Sequence, residues 1–340
     1  ISIAAGFLVK KLGRDVIENL LPATITGPIA MVIGLTLAGN ALADAAPAVA
    51  GAGFVNNLPW IVSLATLLAT ILFSVYLKGF LSQLPLFLGL VFGIAVAGIL
   101  SAATGAVLFR ALPESVAAQG IFALPHFTLP TVHWGAALAI MPVALATIPE
   151  STAHIYQLDV YVNDLAKKLG SKKKYDLVGE LGSNLIGDGV GDMVAGVMGG
   201  PAGTNYGENI SAMAITRVFS VPVLITAAII ALIIACFTPL VKAIYSIPIS
   251  VIGGLEIYLF GAIAAQGIAI MIDKHVDMFS AKNIAVIATI MVIALGGHYT
   301  FGGMIPFFGA QLPALSTAAI FGIVLNALLN IGNKSKKKAE

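Results

Sequence analysis

GGPAGTNYGENISAMAITR, Gly199 to Arg217, cannot form one continuous helix. Gly199, Gly200, Pro201, Gly203 and Gly207 deny the segment helical stability, and Pro201 also removes a backbone donor. The part that follows, Glu208 to Thr216, is mostly apolar and reads as a half-helix with Thr204 or Asn205 near its cap. Its first N–H groups have no intrahelical partner and point into the break. Apolar runs lie on both sides, and a chain break at membrane depth is tolerated only where it is buried in protein or lines a cavity. Broken helices of this kind point to a transporter site. A ligand carbonyl can accept from the exposed amides while Glu208 accepts a ligand N–H.

Working outward, the whole chain is membrane-like. Of its 340 residues, 59% are hydrophobic and 10% charged, and its mean hydropathy is +0.98. Soluble domains carry about 25% charged residues. The composition therefore excludes a soluble globular domain, a disordered chain, a disulfide scaffold and a coiled coil, and leaves an all-α polytopic membrane protein. Cys236 is the only cysteine, so no intrachain disulfide forms. GxSxG and GxxxxGK[ST] are absent, as is any nucleophile–base arrangement, which argues against an enzyme and against ATP-driven transport. The chain starts at Ile1, inside an apolar segment without a Met, and reads as N-terminally incomplete.

Charge-free stretches place spans near 19–43, 58–77, 80–104, 133–158, 180–198, 208–219, 220–240, 248–271, 283–299 and 311–331, with a Gly/Pro-rich turn at Gly302–Pro306 before the last. On this map 16 of the 18 Lys and Arg fall in alternate loops or the tail, and only Arg110 and Lys242 lie on the opposite side. The positive-inside rule puts the majority set, and with it the C-terminus, in the cytoplasm of a plasma (inner) membrane protein. The Ser171–Asp176 run, SKKKYD, is then a cytoplasmic loop rather than a nucleic-acid patch.

Acidic residues inside spans are expensive, so each is a functional candidate. Five lie well inside: Glu150, Asp188, Asp192, Glu208 and Glu256. Glu150 and His154 stand one turn apart in a stretch interrupted by Pro142 and Pro149, and together they can hold a proton or bind a substrate N–H. One Glu and one His are too few ligands for a metal. Asp188 and Asp192 repeat the one-turn spacing among Gly187, Gly189 and Gly191, and either share a proton or fix the packing against the broken segment. Glu256 lies nearer the outer end and reads as structural or gating.

At two segments, GGPAGTNYGENISAMAITRVFS and MPVALATIPESTAHIYQLDVYV, the sequence resembles the nucleobase–ascorbate transporter (nucleobase:cation symporter-2) family, and within it the bacterial uracil permeases. The family signature [Q/E]-N-x-G-x4-T-[R/K] is met by Glu208, Asn209, Thr216 and Arg217, with Ser211 in place of its Gly. The resemblance implies 14 spans in two inverted seven-span repeats, of which these would be the last ten, with a short strand near 199–208. It implies a core of substrate-binding spans at 130–240 and gate spans at 16–108 and 246–331. Residues 1–15 would be the tail of a core helix and a cytoplasmic loop, and 332–340 a basic cytoplasmic tail. Glu150 and Glu208 would bond the ring N–H groups, and the backbone at Gly207, beside Tyr206 and Asn209, would meet a ring oxygen. His154, Asp188 and Asp192 would support the site or couple protons. The implied activity is proton-coupled import of uracil by alternating access, with xanthine or another purine as the alternative substrate. A non-transporting membrane binding protein or sensor is the reading from another class. Neither a cofactor nor a metal is implied. The expected partners are the nucleobase and the lipid bilayer, not nucleic acid, and the Gly-rich gate spans suit a homodimer.

Overall fold

The computed structural model describes residues 1–13, 21–47, 53–124, 127–141, 144–203 and 207–331. It is mostly helical. The first helices are α1 (Ser2–Leu12), α2 (Ala23–Thr36), α3 (Ala38–Ala45), α4 (Leu58–Tyr76), α5 (Pro85–Thr104), α6 (Glu114–Ala117), α7 (Trp134–Ile140) and α8 (Ala144–Lys168). They are followed by α9 (Leu181–Val197), α10 (Gly207–Thr216), α11 (Val221–Ala235), α12 (Thr238–Ser246), α13 (Ile249–Asp273), α14 (Ala281–Phe301) and α15 (Ala314–Asn330). Strands β1 (Met304–Phe307) and β2 (Ala310–Pro313) separate the last two helices. Among the described residues, five helical segments are long and apolar enough to cross a membrane: Ala23–Ala45, Val55–Tyr76, Pro85–Thr104, Ile249–Ile272 and Ala281–Phe301.

The chain forms two compact units. The first comprises Ile1–Thr36, Thr128–Gly207 and Ala262–Glu340, and the second Leu37–Phe127 and Glu208–Gly261. In the first unit, Ile25, Ile29 and Val32 recur at helical spacing on α2 and pack against Val286 and Ile290 of α14 and Ala318 of α15. Lipid tails are as apolar as leucine, so close backbone approach contributes most where hydrophobic burial contributes little. Glycines make that approach possible. A side chain at Gly267 would meet the Gly27 carbonyl oxygen at 2.4 Å. The antiparallel pair α1 and α9 is built the same way. Gly6 faces Gly182 and Ile186, and Gly189 faces Ser2 and Ile3. Beside those contacts Ala5, Val9, Leu181 and Leu185 enclose Ile148 of α8.

In the second unit, Gly89 and Gly93 of α5 sit directly on Thr70 and Thr66 of α4. Both threonines are fully buried; the Thr66 hydroxyl donates back to Val62 O (2.7 Å) and the Thr70 hydroxyl to Thr66 O (2.8 Å), so neither hydroxyl is stranded. Val251, at the start of α13, shares a core with Leu58, Val62 and Ala97.

Three differences from the sequence reading have physical causes. The expected span 220–240 is two helices, α11 and α12, parted at Cys236 and Phe237. Cys236 O accepts from Ala123 N–H (3.1 Å) and Thr238 N–H donates to Ile121 O (2.9 Å), so a segment far away in sequence takes the bonds that a continuous helix would use. Arg110 Nε donates to Ile247 O at 2.7 Å, and Lys242 Nζ donates to the carbonyls of Ala117 (3.0 Å) and Gln119 (2.9 Å). Arg110 and Lys242 thus strap residues 110–119 to residues 242–247. Second, the fold is not wholly α: the turn expected at Gly302–Pro306 is an antiparallel hairpin, with Met304 opposite Pro313 and Phe307 opposite Ala310. Its loop residues, Phe308 (φ 45°) and Gly309 (φ 80°), both have positive φ, which suits the right-handed twist of a two-residue hairpin. Third, α8 runs on to Lys168, ten residues past the expected end at 158, because no Gly or Pro interrupts it before Gly170.

Two glycines on α13 test the close-packing account. Gly267→Ala is expected to lower stability by about 1–3 kcal/mol, because backbone rather than a side-chain tip must give way. Gly261→Ala, where no atom lies within 4 Å of the added carbon, is expected to cause no loss. Thermal unfolding of the two variants in one detergent provides the comparison.

Candidate functional site

The break after α9 is closed by backbone chemistry that the sequence specifies. Gly199 adopts φ +84°, and Gly199 N–H and Gly200 N–H donate to Gly196 O (3.2 Å) and Ala195 O (2.8 Å). This is a Schellman cap, which satisfies carbonyls left open at the end of α9, and Pro201 prevents the helix from resuming. Residues 200–203 are irregular, and Asp192 Oδ1 accepts the Gly203 N–H at 2.8 Å. Asp192 therefore anchors the broken segment to the helix that precedes it. Asp188 lies one turn away on α9 and is half-buried.

Beyond the break, α10 begins at Gly207, with Glu208 and Asn209 in its first turn, where amide N–H groups lack intrahelical acceptors. Asn209 is exposed. Thr204, Asn205 and Tyr206 lie outside the described residues, as do the side chain of Glu208 and the surroundings of Gly207.

Glu150 and His154 stand one turn apart on α8. Ile148 and Ile155 of the same helix pack against α1 and α9. Glu150, two residues on from Ile148, therefore lies on the far side of α8 from that core. His154 is 9% exposed and Ser151, between them, 2%. All three are engaged by neighbours. Ser151 was not singled out from sequence. A lone serine in an apolar stretch gives no signal until the helix places it beside a half-buried acid and a buried imidazole.

The structure thus brings Asp192 together with the broken segment, and Glu150 with Ser151 and His154. Glu256 lies in the second unit. Its Oε2 is buried without a hydrogen-bond partner. Among the described residues, no three His, Cys, Asp or Glu side chains come close enough to hold a metal ion.

An acceptor at position 192 is what the break depends on. Asp192→Ala is expected to destabilise the fold by ~1 kcal/mol, the net worth of one hydrogen bond. Asp192→Asn retains a side-chain oxygen for Gly203 and is expected to unfold close to wild type. Equal losses in the two variants would show that charge at 192, rather than the bond, is what counts.

Comparison with known proteins adds to this geometry. Residues 1–303 match the family described as "Permease family" (Xan_ur_permease). The chain is similar to the uracil permease of Bacillus caldolyticus, with 36% identity over 95% of this chain and 71% of the relative. It is also similar to the uracil permease of Bacillus subtilis (strain 168), at 35% over 95% and 71%. The uracil permease of Escherichia coli (strain K12) is 34% identical over 96% and 71%.

Proposed function

The chain belongs to this permease family, a multi-pass membrane transporter and not an enzyme, and on that premise we propose that it is a proton-coupled uracil symporter. The observation that supports this most strongly is the opening of α10. A helix start bearing Glu208 and Asn209 follows a capped, anchored chain break, in a protein whose relatives are uracil permeases.

Uracil is a neutral ring with two N–H donors and two carbonyl oxygens. Carboxylates at Glu150 and Glu208 accept from the N–H groups, and charge-assisted bonds of this kind are stronger than neutral ones. The backbone N–H groups near Gly207 donate to a ring oxygen. Tyr206 and Asn209 flank that contact. His154, one turn from Glu150, takes the coupling proton or orients the acid. Asp188 supports the same end of the site, and Asp192 holds the break open. No cofactor takes part. Uracil is preferred over xanthine because Glu rather than Gln stands at position 208.

Transport proceeds by alternating access, with core spans moving against gate spans. The lysine-rich loops and the C-terminus face the cytoplasm of the plasma membrane, and Gly-rich gate helices pair two copies of the chain.

Glu150→Gln and Glu208→Gln are each expected to weaken uracil binding at least ~10-fold, the range for losing a hydrogen bond to a charged group. Thermal-shift titration in detergent with uracil, xanthine, urate and ascorbate measures this, since a ligand that binds only the native state raises the melting temperature. Stabilisation by xanthine but not uracil would overturn the substrate. Wild-type uracil affinity in both variants would overturn the site.

A further inference from the structure

Seven lysines converge at one end of the first unit. Lys10 and Lys11 end α1, Lys167 and Lys168 end α8, and Lys172, Lys173 and Lys174 lie in the loop leading to α9. The ends coincide because α1 and α9 are antiparallel: the stem of Lys10 lies over Gly182, in the first turn of α9. All seven lysines are exposed.

The loop that carries three of them is fixed rather than loose. Asn163 of α8 works as a two-point clamp on Tyr175. Its Nδ2 donates to Tyr175 O (2.9 Å), and its Oδ1 accepts from Tyr175 N–H (2.9 Å). One turn earlier, Asp159 Oδ1 accepts from Leu177 N–H at 2.8 Å, so the loop folds back along the end of α8. Ser171 Oγ accepts from Lys173 N–H (3.2 Å), and the Lys173 ammonium lies 5.0 Å from the centre of the Tyr175 ring.

Among the described residues, the acids near these lysines are occupied with local tasks. Asp159 holds Leu177, Asp176 Oδ1 accepts from Gly179 N–H (2.9 Å), and Glu180 Oε2 accepts from the Ser183 hydroxyl (2.7 Å). Asp164 pairs with Lys168 at 2.5 Å. Among the described residues, Lys10, Lys11, Lys167, Lys172 and Lys174 have no carboxylate in salt-bridge range. Beside the lysines, Leu169 is 76% exposed, an apolar side chain at the same rim.

We propose that this rim, the 169–175 loop with the ends of α1 and α8, is a docking surface for the phosphodiester headgroups of anionic membrane lipids. Lysines just outside the hydrocarbon meet headgroup phosphates, and Leu169 enters the acyl boundary beneath them. A basic loop placed only to set membrane orientation needs charge but no fixed shape. The Asn163 clamp supplies the shape. A nucleic-acid surface would call for aromatic faces open to bases, whereas the ring of Tyr175 is already covered by Lys173.

Native mass spectrometry of the full chain released from vesicles of phosphatidylethanolamine and phosphatidylglycerol tests this. The combined variant K172Q/K173Q/K174Q is expected to retain at least ~10-fold less phosphatidylglycerol than wild type, since each lysine near a membrane surface contributes to the attraction. The tail variant K334Q/K336Q/K337Q removes the same charge elsewhere and is expected to retain wild-type levels. Asn163→Ala keeps every lysine but frees the loop, and is expected to lose phosphatidylglycerol as well. Wild-type retention in either K172Q/K173Q/K174Q or Asn163→Ala would overturn the proposal, as would an equal loss in the tail variant. Displacement of the lipid by millimolar inorganic phosphate would assign the surface to free phosphate instead, and displacement by a short RNA duplex would assign it to nucleic acid.

Discussion

Inside a membrane, every backbone N–H and C=O must find a partner within the protein. The segment around Gly199 meets that constraint at its helix end. The α9 helix ends there because Gly199 can take a positive φ, and the Schellman bonds to Gly196 and Ala195 close its last carbonyls. Asp192 then secures Gly203, and the chain restarts as α10. Each of these steps satisfies a backbone group. The first amides of α10 have no acceptor within their own helix, and they are the ones that the proposed site offers to a polar ligand. In this account the break is a site because the helix before it is closed and a new helix starts beyond it.

The rest of the fold makes that break affordable by packing backbone against backbone. Gly6 against Gly182, Gly27 against Gly267, and Gly89 and Gly93 against threonines bring helices closer than larger side chains would allow. In lipid this close contact, rather than exclusion from water, holds helices together. At Thr66 and Thr70 of the second unit, the buried hydroxyls bond to their own helix and leave the packing surface apolar.

Much of this was legible in the sequence because the signals were local. The glycines and Pro201 announce the break, and the start of α10 lies within a residue of Glu208, where the apolar run begins. The i, i+4 spacing of Glu150 and His154 needs only a helix to bring them together. What was not legible depends on distant partners. Nothing in the apolar run from Val218 to Val241 reveals that Cys236 and Thr238 will bond to residues 123 and 121. The hairpin at 304–313 was hidden because Phe308 occupies a positive-φ turn position where Asn or Gly is the usual signal. The two alternatives for Asp192 could not be separated by spacing, since the Gly203 amide that it accepts lies in an irregular segment.

Hydrogen–deuterium exchange of the full chain in lipid nanodiscs, with and without saturating uracil, tests the central claim most directly. The account predicts that uracil slows exchange in peptides covering residues 199–216, above all at the first amides of α10, and does so more than in α4 or α5. Uracil binding that leaves exchange in 199–216 unchanged would contradict it, because the start of α10 would then not be where the ligand sits.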